Sequence, residues 1–494
     1  MNKKFLHIFF SMSFLILFGK GLGFIRTALV ASTYGAGFIS DLYSFEDSLV
    51  NEIYAVFSTF LACSFIPRYL ALDQMNKKRI FNTILNDGLI IMISLTVFCM
   101  IFTKPLLKLL VPGYFSLYNI DNVIFITRIN LIMLIITFLV NYFLTILQAH
   151  EIFIYLSLES VILNCVVILY LLSMPECGIL GLILCRIIAY SIFLILVTLK
   201  LRKSTNLKYQ LTVSFADQDI VEMIKLSIPM LGITVLWQIN YIIDKSMASG
   251  LESGSIANLN YANTIAMIIY NVVGYIISTY AYPTLSKIQN NSNMLACKFK
   301  EYLLMLLQLV SPIAVMTIAF SSFISSFLYG HGNMTIDNVK SISYILIMYV
   351  PGSVAYCIKN LYSKLFYIKQ NTRIVLIIDV IGCFVNILLN LILVNIIGVY
   401  GLALATSIAY FITVIFQVYF ANRKGYTFLK RIDLKQVLFG LCVLILYSLF
   451  ATYIMNNYIP QILGKIIFVM LSYILGIAFS CFNDIKMIFY HKSN

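Results

Sequence analysis

Two basic residues, Lys20 and Arg26, sit in the otherwise apolar stretch Gly19-Lys-Gly-Leu-Gly-Phe-Ile-Arg26, and four acids, Asp41, Glu46, Asp47 and Glu52, follow within the next run. A basic group at this depth in an apolar run must face a partner or a hydrated cavity. The carboxylates can answer it with ion pairs or line a hydrated cavity. Asp41 and Glu52 are eleven residues apart, three turns, and so share a helix face. Two further runs carry an acid among carboxamides: Asn240, Asp244 and Lys245 in one, Asp379, Asn386 and Asn390 in the other. An acid with carboxamide neighbours inside a membrane can hold Na+, carry a proton, or clamp two helices by hydrogen bonds. Single charges at Arg128, Glu159, Arg186, Lys225, Lys359 and Lys364 read as snorkelling side chains or structural pairs.

These residues need elements to carry them, and composition decides which. Of 494 residues, 61% are hydrophobic and 11% are charged, with mean hydropathy +0.94. Soluble domains carry about 25% charged residues, so a soluble enzyme, a disordered chain and a disulfide scaffold are excluded. A span needs about 20 mostly apolar residues, and only helices and closed barrels satisfy their backbone in lipid. The runs are long and do not alternate, so the fold class is all-α polytopic membrane protein. Fourteen spans are expected, at 5–31, 42–66, 82–109, 122–148, 152–174, 179–200, 222–247, 256–284, 301–328, 339–367, 374–396, 399–421, 435–456 and 461–482. The first resembles a signal peptide, with Lys3 and Lys4 before Phe5, but no small-residue cleavage site follows, and an uncleaved span is expected.

The net charge of +14 is topological. The side holding both termini carries Lys3, Lys4, Arg68, Lys77, Lys78, Arg79, Lys200, Arg202, Lys203, Lys208, Lys287, Lys298, Lys300, Lys369, Arg373, Arg423, Lys424, Lys430, Arg431, Lys435, Lys486 and Lys492. The other side has Lys340 and Lys465, with Lys104 and Lys108 at the end of span 3. Basic loops stay inside, so both termini are expected in the cytoplasm, and nucleic acid is not the partner of this charge. The ten cysteines include no C-x-x-C pair and the four histidines are scattered, so no metal site is expected. No nucleophile–base pair or nucleotide-binding loop appears, so the chain reads as a non-enzyme.

An internal repeat organises the spans. Gly181-Leu-Ile-Leu-Cys-Arg-Ile-Ile-Ala-Tyr190 matches Gly401-Leu-Ala-Leu-Ala-Thr-Ser-Ile-Ala-Tyr410 at an offset of 220, and Gly37-Phe-Ile-Ser-Asp-Leu42 lines up with Gly254-Ser-Ile-Ala-Asn-Leu259. Six spans per copy is an even number, so the copies are parallel and related about the membrane normal. The expected domains are an N-lobe at 1–215 (spans 1–6), a C-lobe at 216–425 (spans 7–12), and an addition at 426–494 with spans 13 and 14 and a cytoplasmic C-terminus.

Leu22-Gly-Phe-Ile-Arg26, Tyr34-Gly-Ala-Gly37 and Ser40-Asp41 resemble the opening of the MurJ (MviN) lipid II flippases, of the multidrug/oligosaccharidyl-lipid/polysaccharide exporter superfamily. Ile243-Asp-Lys245, Ala248-Ser249, Gly254-Ser-Ile256, Leu259-Asn-Tyr-Ala262, Pro283-Thr-Leu-Ser286 and Phe327-Leu-Tyr-Gly330 are similar to that family's later motifs. The resemblance implies a flippase of a bacterial inner membrane, moving an undecaprenyl-pyrophosphate-linked saccharide, lipid II or a related surface-polysaccharide unit, to the outer leaflet by alternating access. It implies a central cavity formed largely by spans 1, 2, 7 and 8, with Lys20, Arg26, Asp41, Glu46, Glu52 and Asn263 as substrate-binding candidates. It also implies Na+ or H+ coupling with no other cofactor, with Asn240, Asp244 and Asp379 as ion-binding candidates, although Leu236 and Trp237 stand where a second acid would. Membrane lipid and glycan-assembly enzymes are the implied partners. Two family arginines fall at Tyr54 and Thr264 here. The competing readings are a cation-coupled multidrug antiporter, suited by the span 2 acids, and a non-transporting membrane scaffold, suited by the losses at Tyr54 and Thr264.

Overall fold

The computed structural model describes residues 3–117, 120–205, 207, 209–214, 217–427, 431–459 and 461–491. The described regular structure is helical throughout, with no strand among the described residues. Eleven of these helices are long and apolar enough to cross a membrane, from Phe38–Ala71 to Val399–Arg423. Helices Lys3–Tyr34, Arg431–Tyr458 and Ile462–His491 cover the expected first, thirteenth and fourteenth spans. All fourteen expected spans therefore fall on helices.

Two spans were expected to run too far. Span 3 ends at Ile101, and a separate helix, Thr103–Leu110, follows. Pro105 explains the break: it lacks an N–H and its ring clashes with the carbonyl four residues back, so it is accepted only in a new helix's first turn. Span 9 likewise stops at Ala319, turns at Phe320 and resumes as Ser321–Tyr329.

The chain forms two compact units. Unit 1 comprises Met1–Ala257 and His331–Thr335; unit 2 comprises Asn258–Gly330 and Ile336–Asn494. In unit 1 a buried aromatic and aliphatic core gathers Phe65, Phe81, Phe138, Tyr142 and Phe193 from spans 2, 3, 4 and 6. Helix Lys3–Tyr34 packs along helix Ile154–Ser173. The sequence glycines serve this packing: a Cβ at Gly19 would lie 3.0 Å from Ser160 Oγ, and one at Gly23 would lie 3.3 Å from Asn164 Nδ2. Asn164 Nδ2 donates to the Gly19 carbonyl at 3.1 Å, the small-residue and carboxamide pairing that holds helices together in lipid.

Helix Gln218–Ser249 clusters with unit 1. Arg68 and Arg79 bind its first turn through Asp217 and Asp219, with Arg68–Asp219 and Arg79–Asp217 both at 2.6 Å. Further along, Thr59 Oγ1 and Thr234 Oγ1 lie 2.9 Å apart. The preceding segment is held against span 3: Asn86 Nδ2 donates to the Gln210 and Thr212 carbonyls, while the Gln210 and Ser214 N–H groups donate to Asn82 and Asp87.

Unit 2 buries Phe299, Phe320, Tyr362 and Phe366, and spans 10, 11 and 12 pack closely together. The repeat appears in the backbone itself. Gly178 and Gly398, 220 positions apart, share φ +60° with ψ −145° and −137°, and each opens the helix that carries the matched sequence. Only glycine adopts that conformation without strain.

Candidate functional site

The charged residues of spans 1 and 2 meet in unit 1, but not as a simple span 1–span 2 pairing. Asp47 pairs with Arg186 of span 6 at 2.5 Å, with side-chain exposures of 29% and 5%. Arg186 also lies over the Tyr43 ring, 5.8 Å from its centroid. Glu52 faces Lys245 of span 7 at 3.9 Å. Glu46 is fully buried and meets no base directly: Thr127 Oγ1 donates to Oε1 at 2.5 Å and Asn130 Nδ2 donates to Oε2 at 2.7 Å. Arg26 lies within Coulombic range of Asp47, as does Lys245. Glu159 and Tyr190 share that field. The result is a cluster of four acids (Glu46, Asp47, Glu52, Glu159) and three bases (Arg26, Arg186, Lys245) drawn from five of unit 1's helices, with Glu46 and Arg186 buried and the others half-buried.

Two donors in this cluster stand out. Arg26 Nε and one terminal nitrogen of Arg186 are buried and have no hydrogen-bond partner among the described residues. Buried polar groups are normally satisfied, because an unmade bond costs about 1–3 kcal/mol or more for a charged group. Both guanidiniums therefore retain a donor for an anion. Lys20, by contrast, is exposed and makes no ion pair among the described residues. Arg186 was a residue sequence reasoning left among the single charges. The available signal was its place in the repeat, where Thr406 stands in the other copy.

Asp41 performs a separate task. It is 3% exposed, and its two carboxylate oxygens accept the backbone N–H groups of Gly254 and Ala257, each at 2.7 Å. These are the orphan donors at the start of the helix that begins at Ser255, so Asp41 caps that helix from a distance. Other loop contacts lie on the same side. The Asn333 N–H donates to the Ser32 carbonyl at 2.8 Å and its carboxamide donates to the Thr33 carbonyl at 2.5 Å. A Cβ at Gly332 would strike Ser32 O at 2.1 Å, and one at Gly254 would strike Ala36 O at 2.5 Å. Backbones this close leave no channel between these segments, and they form a seal at one end of unit 1.

The remaining expected site residues are distributed between the units. Asn240 and Asp244 are buried in unit 1, and Asn263 is half-buried in unit 2 in helix Ser255–Ala266. Thr264 returns its hydroxyl to the Asn260 carbonyl of its own helix at 2.8 Å. Tyr54 lies in the field of Glu159 rather than offering a cation. Asp379 belongs to unit 2 and pairs with Lys359 of span 10 at 2.7 Å, with side-chain exposures of 2% and 7%. Among the described residues no group of three or more His, Cys, Asp or Glu could hold a metal ion. Sequence reasoning also missed two π-helical turns, at Leu61–Phe65 in span 2 and Tyr270–Gly274 in span 8. Such turns add a residue to the helix and concentrate at functional sites.

Comparison with known proteins matches this architecture. A family model described as lipid II flippase MurJ matches residues 30–474. A probable lipid II flippase MurJ of Rickettsia prowazekii is 24% identical over 410 residues, covering 81% of this chain and 80% of the relative. Its counterpart in Vibrio cholerae is 25% identical over 464 residues, covering 87% of each. Among solved structures, a lipid II flippase MurJ in an inward closed conformation superposes with a TM-score of 0.80 at 23% identity, covering 97% of this chain and 99% of that one. An inward-facing MATE multidrug transporter of the MOP superfamily reaches 0.67 at 13% identity, covering 82% and 94%. These structural likenesses show the shared fold, and the weaker one does not displace the stronger. With the family model covering most of its length, the chain belongs to the lipid II flippase MurJ family.

Proposed function

We propose that this multi-pass membrane protein moves a polyprenyl-pyrophosphate-linked saccharide, lipid II or a related surface-glycan unit, from the cytoplasmic to the outer leaflet of a bacterial inner membrane by alternating access. The observation that carries the reading is that Arg26 and Arg186 each keep one buried donor nitrogen without a hydrogen-bond partner among the described residues of unit 1. A pyrophosphate is the ligand class that rewards guanidinium donors most, through planar bidentate geometry. The acids supply the other half of the cycle. Asp47 and Glu52 hold Arg186 and Lys245 while no anion is bound, and the headgroup must displace them. Binding then costs two ion pairs and gains phosphate contacts, which keeps affinity low enough for release. The excess of basic residues in the loops on the termini's side supports a cytoplasmic position for both termini.

The test is complementation of a strain depleted of its lipid II flippase, with a translocation assay on the same cells. Wild type is expected to restore growth and flipping. Arg26→Ala is expected to abolish both while remaining in the membrane, and normal flipping by that variant would remove Arg26 from the site. A second reading, a cation-coupled multidrug antiporter, is favoured by the excess of acids over bases in the cluster. Toxin resistance on overexpression, without complementation, would select it.

A further inference from the structure

Asp379 is the acid of span 11 that a cation-coupled reading would use, and its surroundings test whether Na+ fits there. Its carboxylate lies 2.7 Å from Lys359 Nζ, and both side chains are buried inside unit 2. The ammonium is flanked by two aromatic faces, 6.0 Å from the Tyr356 centroid and 5.8 Å from the Tyr410 centroid. A hard alkali cation needs several oxygen ligands around it. At Asp379 that position is filled by a nitrogen cation, and a second cation on the same carboxylate would be repelled by it. Na+ does not fit this donor set.

The repeat sharpens the contrast. At the offset of 220 that relates Gly178 to Gly398 and Tyr190 to Tyr410, Glu159 of span 5 stands where Asp379 stands in span 11. Glu159 has Tyr190 in its field, as Asp379 has Tyr410 near its lysine. The lysine itself has no counterpart, since Leu139 occupies the position 220 before Lys359. The second copy thus carries a cation against its acid where the first copy carries leucine.

We infer that Lys359 is a resident, tethered cation that occupies the cation position at Asp379, so that unit 2 takes no alkali ion there. Lys359→Met removes the charge but keeps the volume of the stem. It leaves the buried Asp379 carboxylate without its counter-ion, and this frees the cation position there for a monovalent ion.

Thermal unfolding of the purified full-length protein in NaCl, KCl and choline chloride at equal ionic strength reads this directly. Wild type is expected to melt at the same temperature in all three salts. Lys359→Met is expected to gain a saturable, Na+-specific rise of at least about 2 °C, and Lys359→Met/Asp379→Asn is expected to lose it. A Na+-specific rise in wild type that Asp379→Asn abolishes would overturn the inference, as would a folded Lys359→Met with no ion-specific response. If Lys359→Met does not fold, the comparison of wild type with Asp379→Asn still decides. Because the readout is ion binding by purified protein, it is separate from any failure of the substrate assignment.

Discussion

Replacing Asp41 with alanine tests the seal at the end of unit 1. Its carboxylate accepts two backbone N–H groups, from Gly254 and Ala257, each at 2.7 Å. Hydrogen bonds to a charged acceptor contribute about 1.5–3 kcal/mol each, so their joint loss costs roughly 3–6 kcal/mol. The charge opposite the first turn of the helix at Ser255 goes with them. The neighbouring contacts of Ser32, Thr33 and Asn333 survive the substitution. The cost therefore falls on local opening of the segment around Gly254 rather than on the helices of the core. At about 1.4 kcal/mol per factor of ten, the open population of that segment rises by roughly 10²–10⁴.

Amide hydrogen exchange across residues 250–258 measures this, because protection there reports the local opening free energy. Asp41→Ala is expected to accelerate exchange at Gly254 and Ala257 by that factor, with the aromatic core of unit 1 still protected. Asp41→Asn keeps one acceptor oxygen and loses the charge, so it should fall between wild type and alanine. Unchanged protection in Asp41→Ala would refute the capping role. Equal loss of protection in the core would refute the claim that the seal opens locally.

Other parts of unit 1 give sharper contrasts. Removing one partner of the Asp47–Arg186 pair leaves a buried charge and should cost about 3–5 kcal/mol, whereas Asp47→Asn/Arg186→Met together should recover most of it; additive losses in chemical denaturation would show that the two are not coupled. Gly23→Leu drives a side chain into Asn164 and should destabilise by about 1–3 kcal/mol. Gly21→Leu, where a Cβ meets nothing within 4 Å, should melt within experimental error of wild type. Arg79→Ala takes a half-exposed guanidinium away from the buried Asp217 and the partly buried Asp219, so its cost should exceed that of a surface pair, at about 1–3 kcal/mol, and should shrink only weakly as salt is raised.

The helices were legible because lipid imposes a length and a polarity that a chain must write as runs of apolar residues. Their ends were less so: at Pro105 the apolar run continues while the helix does not, since proline's missing N–H does not register in hydropathy. The repeat was legible from Gly181 and Gly401, and its cause lies three residues earlier, in two glycines with the same left-handed backbone. Lys359 and Arg186 were recognised as pairing charges without their partners. Pairing depends on which helices touch, and no periodicity within one helix carries that information.

Span 2 shows why the candidate site resisted a reading from one helix at a time. At about 100° per residue, Asp41 and Glu52 point the same way, about 20° apart, while Glu46 lies about 140° and Asp47 about 240° around from Asp41. The shared face of Asp41 and Glu52 is real: both meet the end of span 7 and the segment after it, at Lys245, Gly254 and Ala257. Glu46 turns to Thr127 and Asn130 of span 4, and Asp47 turns to Arg186 of span 6. A helix with acids on three sides cannot be amphipathic in the ordinary sense, and in lipid it survives only if each of those sides faces protein or a water-filled cavity. Span 2 must therefore be central within unit 1, and its acids reach three different sets of hydrogen-bond and ion-pair partners while Glu46, Asp47 and Glu52 still share one field. Among the described residues only Asp47 and Glu52 of this helix face bases that an anionic headgroup could take over, which leaves Glu46 and Asp41 to hold the frame in which that exchange occurs.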